Sequence, residues 1–201
     1  GEKKRWWRFK IMGYPTEPQG LGQPAGWGTD SEDWDFTPEM ANYIEKLKIY
    51  ENSLRKGYNP ETNTWRAHES LEGGTKTVGY GHKLSRYDDP NEIYTSTEID
   101  SMLTQDVFNA YRTVFRKMKN SKYDWTTLSD DDKIILTELY YSTGNSNLLE
   151  KAMEYLGKGA DKKDYASLKE LIDSRGYEDP DKKFHKLENR NKDIIESYIR
   201  R

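Results

Sequence analysis

The chain has 201 residues, enough for one domain with an extension or for two small lobes around a hydrophobic core. Its 32 basic and 35 acidic residues give a net charge of −3, so overall charge does not indicate nucleic acid or an anionic membrane as a partner. Aromatic residues make up 13% of the chain and supply the large apolar side chains of a core. No apolar run approaches the roughly 18 residues of a membrane span, so no transmembrane segment is predicted.

Residues 1–36 differ in composition from the rest of the chain. A basic and aromatic cluster at 3–10 is followed by three prolines and five glycines between Gly13 and Gly28, which predicts an extended, loop-like segment. Trp6 and Trp7 are expected to pack on the rest of the protein or on a neighbouring one, with nucleic acid or a membrane surface as the weaker alternatives. Residues 37–201 are then the folded domain.

A first helix is predicted to begin at Thr37, with Pro38 in its first position. Glu51 lies four residues after Leu47 and therefore falls on the apolar face of this helix. A carboxyl group there is partly desolvated, which raises its pKa towards the value that a general acid needs near neutral pH. The alternative is a glutamate that borders the apolar face and reaches water. The apolar face consists of Met40, Tyr43, Ile44, Leu47 and Leu54, and Gly57 offers a stop.

A glycine-rich segment, GGTKTVGYGH at residues 73–82, predicts a short β-hairpin. Three carboxylates lie between the helix and this hairpin, those of Glu61, Glu69 and Glu72. Thr77 would present a hydroxyl group able to hold a water molecule. An acid on a helix, a second carboxylate on a loop and a nearby water site are the components of a glycosidase.

These residues resemble the catalytic core of the phage-type lysozymes, glycoside hydrolase family 24. The resemblance lies in YIEKLKIYE, which ends at Glu51, and in TVGYGH, which begins at Thr77. It continues in LTQDVFNAYR at 103–112 and LTELYYSTGN at 136–145, and it covers residues 40–200. Members of the family are muramidases, so the resemblance implies that Glu51 is the catalytic acid and that Thr77 belongs to the site.

The chain departs from the family pattern between Glu51 and Thr77, where the spacing is longer and no Asp occurs. The second carboxylate must therefore be a glutamate. Glu69 is favoured because it lies on the approach to the hairpin, Glu72 is the alternative, and His68 or Ser70 are further candidates for positioning water. If none of these is suitably placed, the domain binds glycan without cleaving it.

The mechanism that the resemblance implies is inverting hydrolysis without a metal or other cofactor. The three histidines show no short ligand spacing and the chain has no cysteine, so no zinc site is predicted. The resemblance instead implies an ion pair between His82 and Asp106. The acidic triplet 130–132 is interpreted as a helix start, with a metal-binding loop as the alternative.

The C-terminal two-thirds of the chain is predicted to be helical. Thr95 and Glu98 form a capping box for one helix, and a second begins at Ser129 and ends at Gly144. Ser142 and Asn145 then lie at the end of that helix, where they suit either sugar binding or C-capping of the helix. The remaining predicted helices are 148–156, 165–172 and 184–199, the last resembling the family's closing helix around Arg190.

Together these observations predict an α+β, lysozyme-like fold with a small hairpin lobe, a larger helical lobe and a cleft between them. The predicted function is cleavage of the β-1,4 bond between N-acetylmuramic acid and N-acetylglucosamine, with Glu51, Glu69 and Thr77 as catalytic residues. Substrate contacts are expected from four further residues, Glu72, His68, Ser142 and Asn145. The expected setting is a phage virion or the host cytoplasm before lysis, the partners are bacterial peptidoglycan and other virion proteins, and the isolated domain is expected to be monomeric. A lytic transglycosylase and a non-catalytic wall-binding module are the alternatives.

Overall fold

The computed structural model describes residues 37–52, 55–70, 75–157, 159, 162–178 and 180–199. The chain divides into two compact units, Gly1–Ala41 and Asn42–Arg201. The predicted segment 1–36 lies outside the described residues, and all the predicted site residues belong to the second unit.

The described residues form a mixed α+β structure, as predicted. Its six α-helices are α1 (Pro38–Glu51), α2 (Ser96–Lys119), α3 (Asp130–Thr143), α4 (Ser146–Leu156), α5 (Tyr165–Asp173) and α6 (Glu188–Tyr198). The strands are β1 (Tyr58–Asn59), β2 (Thr64–Trp65), β3 (His68–Glu69), β4 (Lys76–Val78), β5 (His82–Lys83), β6 (Tyr94–Thr95), β7 (Gly176–Glu178) and β8 (Phe184–Lys186). None of these helices has the length and apolar character needed to cross a membrane.

Side-chain caps fix the starts of the first three helices where the sequence predicts them. The Thr37 hydroxyl accepts a hydrogen bond from the Met40 backbone N–H at 3.2 Å. Thr95 and Glu98 form the predicted capping box of α2. Ser129 forms the same arrangement at α3, with Asp132 as its partner.

Two small antiparallel sheets lie between α1 and α2 in the chain. One has the strand order β1–β2–β6 and the other β3–β4–β5, so the predicted hairpin is β4–β5 with β3 added at its edge. The turn residues Gly79 and Gly81 have φ values of +61° and +85°. These left-handed conformations favour glycine. Four residues from the two sheets and α2 form one buried cluster: Trp65, Val78, Tyr94 and Ile99.

Helix α3 is the centre of the helical part and contacts α2, α4 and α6. Its residues from Ile134 to Leu139 are all buried. The prediction of a helix from Phe184 was wrong at its start, because Phe184–Lys186 is strand β8, paired antiparallel with β7. A Cβ atom on Gly176 would overlap the His185 backbone oxygen and the Phe184 ring, so glycine lets β8 approach β7 closely at this point.

Candidate functional site

Glu51 is the last residue of α1, and its side chain is 20% exposed. Tyr43 and Leu47, on the same face of the helix, are fully buried. Burial is the largest influence on the Glu51 carboxyl group and raises its pKa, although the positive charge of Arg190 opposes the shift. The predicted partial desolvation of Glu51 is therefore confirmed.

Arg190, in the first turn of α6, holds Glu51 in place. Its Nη1 donates a hydrogen bond to Glu51 Oε1 at 2.6 Å. Its two other nitrogens donate to Glu138, Nε to Oε1 at 2.7 Å and Nη2 to Oε2 at 2.9 Å. A guanidinium fixed through two parallel bonds has a defined orientation, so Glu138 determines where Arg190 meets Glu51.

Glu138 lies on α3 at the centre of this network and is fully buried. Besides Arg190, Arg175 Nη1 donates to its Oε1 and the Tyr43 hydroxyl donates to its Oε2 at 2.6 Å. Burial alone would raise the pKa of Glu138, but Arg190 and Arg175 outweigh it and lower the pKa to about 2. Arg175 is in turn held by Asn191, whose Oδ1 accepts from Arg175 Nε at 2.8 Å.

The two carboxylates that share Arg190 thus differ in their chemistry. Glu138 is enclosed, and both its oxygens accept charge-assisted hydrogen bonds that keep it ionised. Glu51 is partly exposed, and its pKa is raised. Environments that push the pKa values of two nearby carboxyl groups apart are typical of sites that transfer protons. Of the two, Glu51 is the carboxyl group that solvent or a ligand can reach.

The glycine turn of the β4–β5 hairpin lies next to Glu51. Asn52 Nδ2 donates to the Gly79 carbonyl oxygen at 2.8 Å, which ties the end of α1 to this turn. A Cβ atom on Gly81 would be 3.6 Å from Glu51 Oε2. Thr77, at the centre of β4, is buried with 4% of its surface exposed. Glu51 and the turn of the predicted hairpin are therefore neighbours in space.

Strand register decides which loop residues accompany Thr77. His68 on β3 is opposite Thr77, whereas Glu69 is opposite Lys76 and is exposed. Paired residues of an antiparallel sheet project from the same face and successive residues from opposite faces. Glu69 therefore lies on the face away from Thr77. Glu72, the alternative candidate for the second carboxylate, lies outside the described residues.

The other predicted residues are engaged in local contacts. His82 Nδ1 lies 2.8 Å from Asp106 Oδ2, the contact that the resemblance implies. Ser142 accepts a hydrogen bond from Arg175 at 2.9 Å and donates to the Glu138 backbone carbonyl. Asn145 caps α4 by accepting from the backbone N–H groups of Asn147 and Leu148. Ser142 thus belongs to the buried network, and Asn145 is the N-cap of α4 rather than part of the C-cap of α3, which is Gly144.

Sequence reasoning missed Glu138, Arg175 and Asn191 as parts of the site. A signal existed for Glu138, which falls within the apolar run from Ile134 to Leu139 as Glu51 falls on the apolar face of α1. Arg175 carries no such signal, because it follows the end of α5 in a segment without periodicity.

One cavity lies away from Glu51. A cavity of about 930 Å³ lies between the C-terminal end of α2 and α4, and it contains none of the predicted site residues. Its lining includes Arg116, Lys117, Tyr123 and Glu150. Within the described residues, no three His, Asp or Glu side chains come together as a metal site requires. At the acidic start of α3, Lys163 Nζ donates a hydrogen bond to Asp132 Oδ2 at 2.6 Å.

Comparison with known proteins identified no relative. No family model matches the chain, and no curated protein or solved structure gives a significant match. The likeness to phage-type lysozymes therefore rests on the motifs in the sequence.

Proposed function

We propose that the protein is a muramidase with a lysozyme-like fold, which hydrolyses the β-1,4 bond between N-acetylmuramic acid and N-acetylglucosamine in peptidoglycan. Glu51 protonates the glycosidic oxygen of the bond that breaks. A water molecule held on the Thr77 side of the hairpin attacks the sugar from the opposite face, which inverts its configuration.

The observation that carries this proposal is the contrast between the two carboxylates bound to Arg190. Glu138 is enclosed and ionised, as suits a carboxylate that stabilises the fold. Glu51 instead is 20% exposed at the end of its helix, with a raised pKa. It also adjoins Gly81, in the TVGYGH segment that carries the family resemblance.

A lytic transglycosylase is the second candidate. Such an enzyme needs one acid and no carboxylate that activates water. The described part of the β3–β4–β5 sheet places no carboxylate on the face of Thr77, since Glu69 is paired with Lys76. This observation favours single-acid chemistry unless another residue receives the proton of the water.

The products of digestion distinguish the candidates. Purified peptidoglycan is incubated with the wild type, Glu51→Gln and Glu45→Gln, and the released fragments are identified by mass spectrometry. Glu45 is the matched control because it lies on the same helix but is 69% exposed. We expect reducing ends from the wild type and Glu45→Gln, and a loss of about 10²–10⁴-fold in kcat for Glu51→Gln.

Each other outcome has a clear meaning. Fragments with 1,6-anhydro ends would assign the transglycosylase reaction. Full activity of Glu51→Gln would remove Glu51 from the mechanism. No release by a folded wild-type protein that still binds the glycan would assign a wall-binding module. The proposed setting is host-wall lysis or penetration by a phage, as a lysis enzyme or as part of a virion protein.

A further inference from the structure

Strand register places His68 beside Thr77. The two residues are direct partners across the β3–β4 pair, so their side chains share one face of the sheet. On the other side of β4, Thr77 is paired with Lys83, whose ammonium group is a donor and cannot accept a proton. Among the described residues of this sheet, His68 is therefore the group on the Thr77 face that can act as a base.

The backbone fixes which nitrogen of His68 has a free lone pair. Its Nδ1 lies 3.0 Å from the Glu69 carbonyl oxygen. Because a carbonyl oxygen only accepts, this contact assigns the ring hydrogen to Nδ1 in the neutral imidazole. The lone pair that can accept a proton is then on Nε2.

Nε2 of His68 is buried and has no hydrogen-bond partner among the described residues. The adjacent Cδ2 packs on the chain at Gly57, where a Cβ atom would be 3.3 Å away. A buried acceptor without a partner destabilises a fold by about 1–3 kcal/mol, so such atoms are few and call for an explanation. A ligand group that pairs with Nε2 only in the complex is such an explanation.

We propose that His68, together with Thr77, holds the attacking water and accepts its proton. This inference rests on the proposed muramidase activity and takes the place of the second carboxylate in it. The water oxygen bonds to the anomeric carbon as the bond from that carbon to the glycosidic oxygen breaks. Glu51 gives its proton to the departing oxygen, and Nε2 receives the proton of the water. Exchange with solvent then restores both groups. Because Nε2 is shielded in the free protein, this contact requires the His68 ring to move towards the bound sugar chain.

The test compares His68→Ala and His68→Gln with His185→Gln, a matched control that removes a histidine stacked on Tyr177 in β7. Glu69→Gln is measured beside them, because Glu69 is the second carboxylate that the sequence favours and lies on the opposite face of the strand. We expect both His68 variants to lose about 10²–10⁴-fold in kcat on peptidoglycan, with His185→Gln near the wild type. Loss of activity in Glu69→Gln with full activity in His68→Gln would assign the base to Glu69. Melting temperatures show that each variant is folded, and His68→Gln supplies the comparison if His68→Ala is unstable.

Added azide separates a base from a structural residue. Azide is a nucleophile with no proton to lose, so it needs no base when it attacks the anomeric carbon. With His68→Ala we expect azide to restore turnover and to yield the α-glycosyl azide, while Glu51→Gln gains nothing.

Wild-type activity in folded His68 variants would overturn the role of His68 and leave the muramidase proposal intact. Loss of activity in Glu72→Gln with full activity in His68→Gln would assign the base to Glu72. A folded but inactive wild-type protein would overturn both proposals.

Discussion

At the scale of single residues, Glu138 and Arg175 place one negative and one positive charge close to the Glu51–Arg190 pair. The charge of Glu138 raises the pKa of Glu51, and that of Arg175 lowers it. Glu138→Gln should therefore lower the pKa of Glu51, and Arg175→Gln should raise it. A general acid must be protonated, so activity is lost as pH rises through its pKa. The alkaline limb of kcat/KM should move to lower pH in Glu138→Gln and to higher pH in Arg175→Gln.

Each variant serves as the control for the other, because both break the same buried ion pair and both should destabilise the fold. Structural damage alone would change the two pH profiles in the same direction. Shifts of equal sign, or no shift in either, would therefore contradict the electrostatic account. An NMR titration of the Glu51 carboxyl carbon gives the same comparison without substrate.

Periodicity placed Glu51 correctly, because a carboxylate in an apolar helix slot is visible in the sequence. It could not reveal that Arg190 also binds Glu138, since that contact joins two helices 52 positions apart. Nor could it orient Glu69, because one step along a strand reverses the face on which a side chain lies.

At the scale of elements, two glycines with nearly the same backbone conformation offer a matched comparison. Gly79 has φ of +61° and Gly144 has φ of +59°. A Cβ on Gly79 would overlap Ile99 Cγ2, whereas a Cβ on Gly144 meets nothing within 4 Å. Alanine at either position should lower the free energy of unfolding by about 1–2 kcal/mol, because a left-handed backbone conformation is strained for a residue with a Cβ atom. Gly79→Ala should lower it by about 1–3 kcal/mol more, because the added methyl group overpacks the site.

Urea unfolding of both variants measures this difference, with the wild type as the common reference. Equal destabilisation would show that Ile99 moves aside without a penalty and that the turn is held less tightly than its packing indicates. A larger loss in Gly144→Ala would contradict the argument outright.

Helix starts were predictable because a cap is a short, local signal, as at Thr95 and Ser129. The β7–β8 hairpin was missed because each strand has three residues, too few for an alternation to register. Its pairing depends on Gly176 leaving space for Phe184, which is a tertiary contact. The short strands β1 and β2 escaped prediction in the same way.

At the scale of the whole molecule, Glu138 should make stability depend on acid pH. Its pKa is about 2 in the folded protein, below the ordinary value of 4.5. A carboxyl group whose pKa is depressed in the folded state stabilises the protein at pH values above about 4.5. That stabilisation is lost as the pH falls from about 4.5 towards 2. Glu51 acts in the opposite sense, because its raised pKa favours the folded state as pH falls. The free energy of unfolding of Glu138→Gln should be about 3–5 kcal/mol lower than that of the wild type at pH 7. It should also change less with pH in the acid range.

Denaturant titrations at pH 7, 4 and 2.5, all at one ionic strength, test this expectation. The difference in free energy of unfolding between the wild type and Glu138→Gln should become smaller as the pH falls. A gap that stays constant would show that Glu138 stabilises the fold through packing rather than through its charge.

The hydrogen bond from Asn52 to Gly79 joins residues 27 positions apart and makes the intervening chain a loop closed at its neck by one amide. The long spacing between Glu51 and Thr77 lies inside that loop. Length added within the loop does not change the width of the neck, where Glu51 meets the glycine turn. Segments of different length could therefore be exchanged within the loop, altering the surface around Glu51 while Glu51 keeps its place.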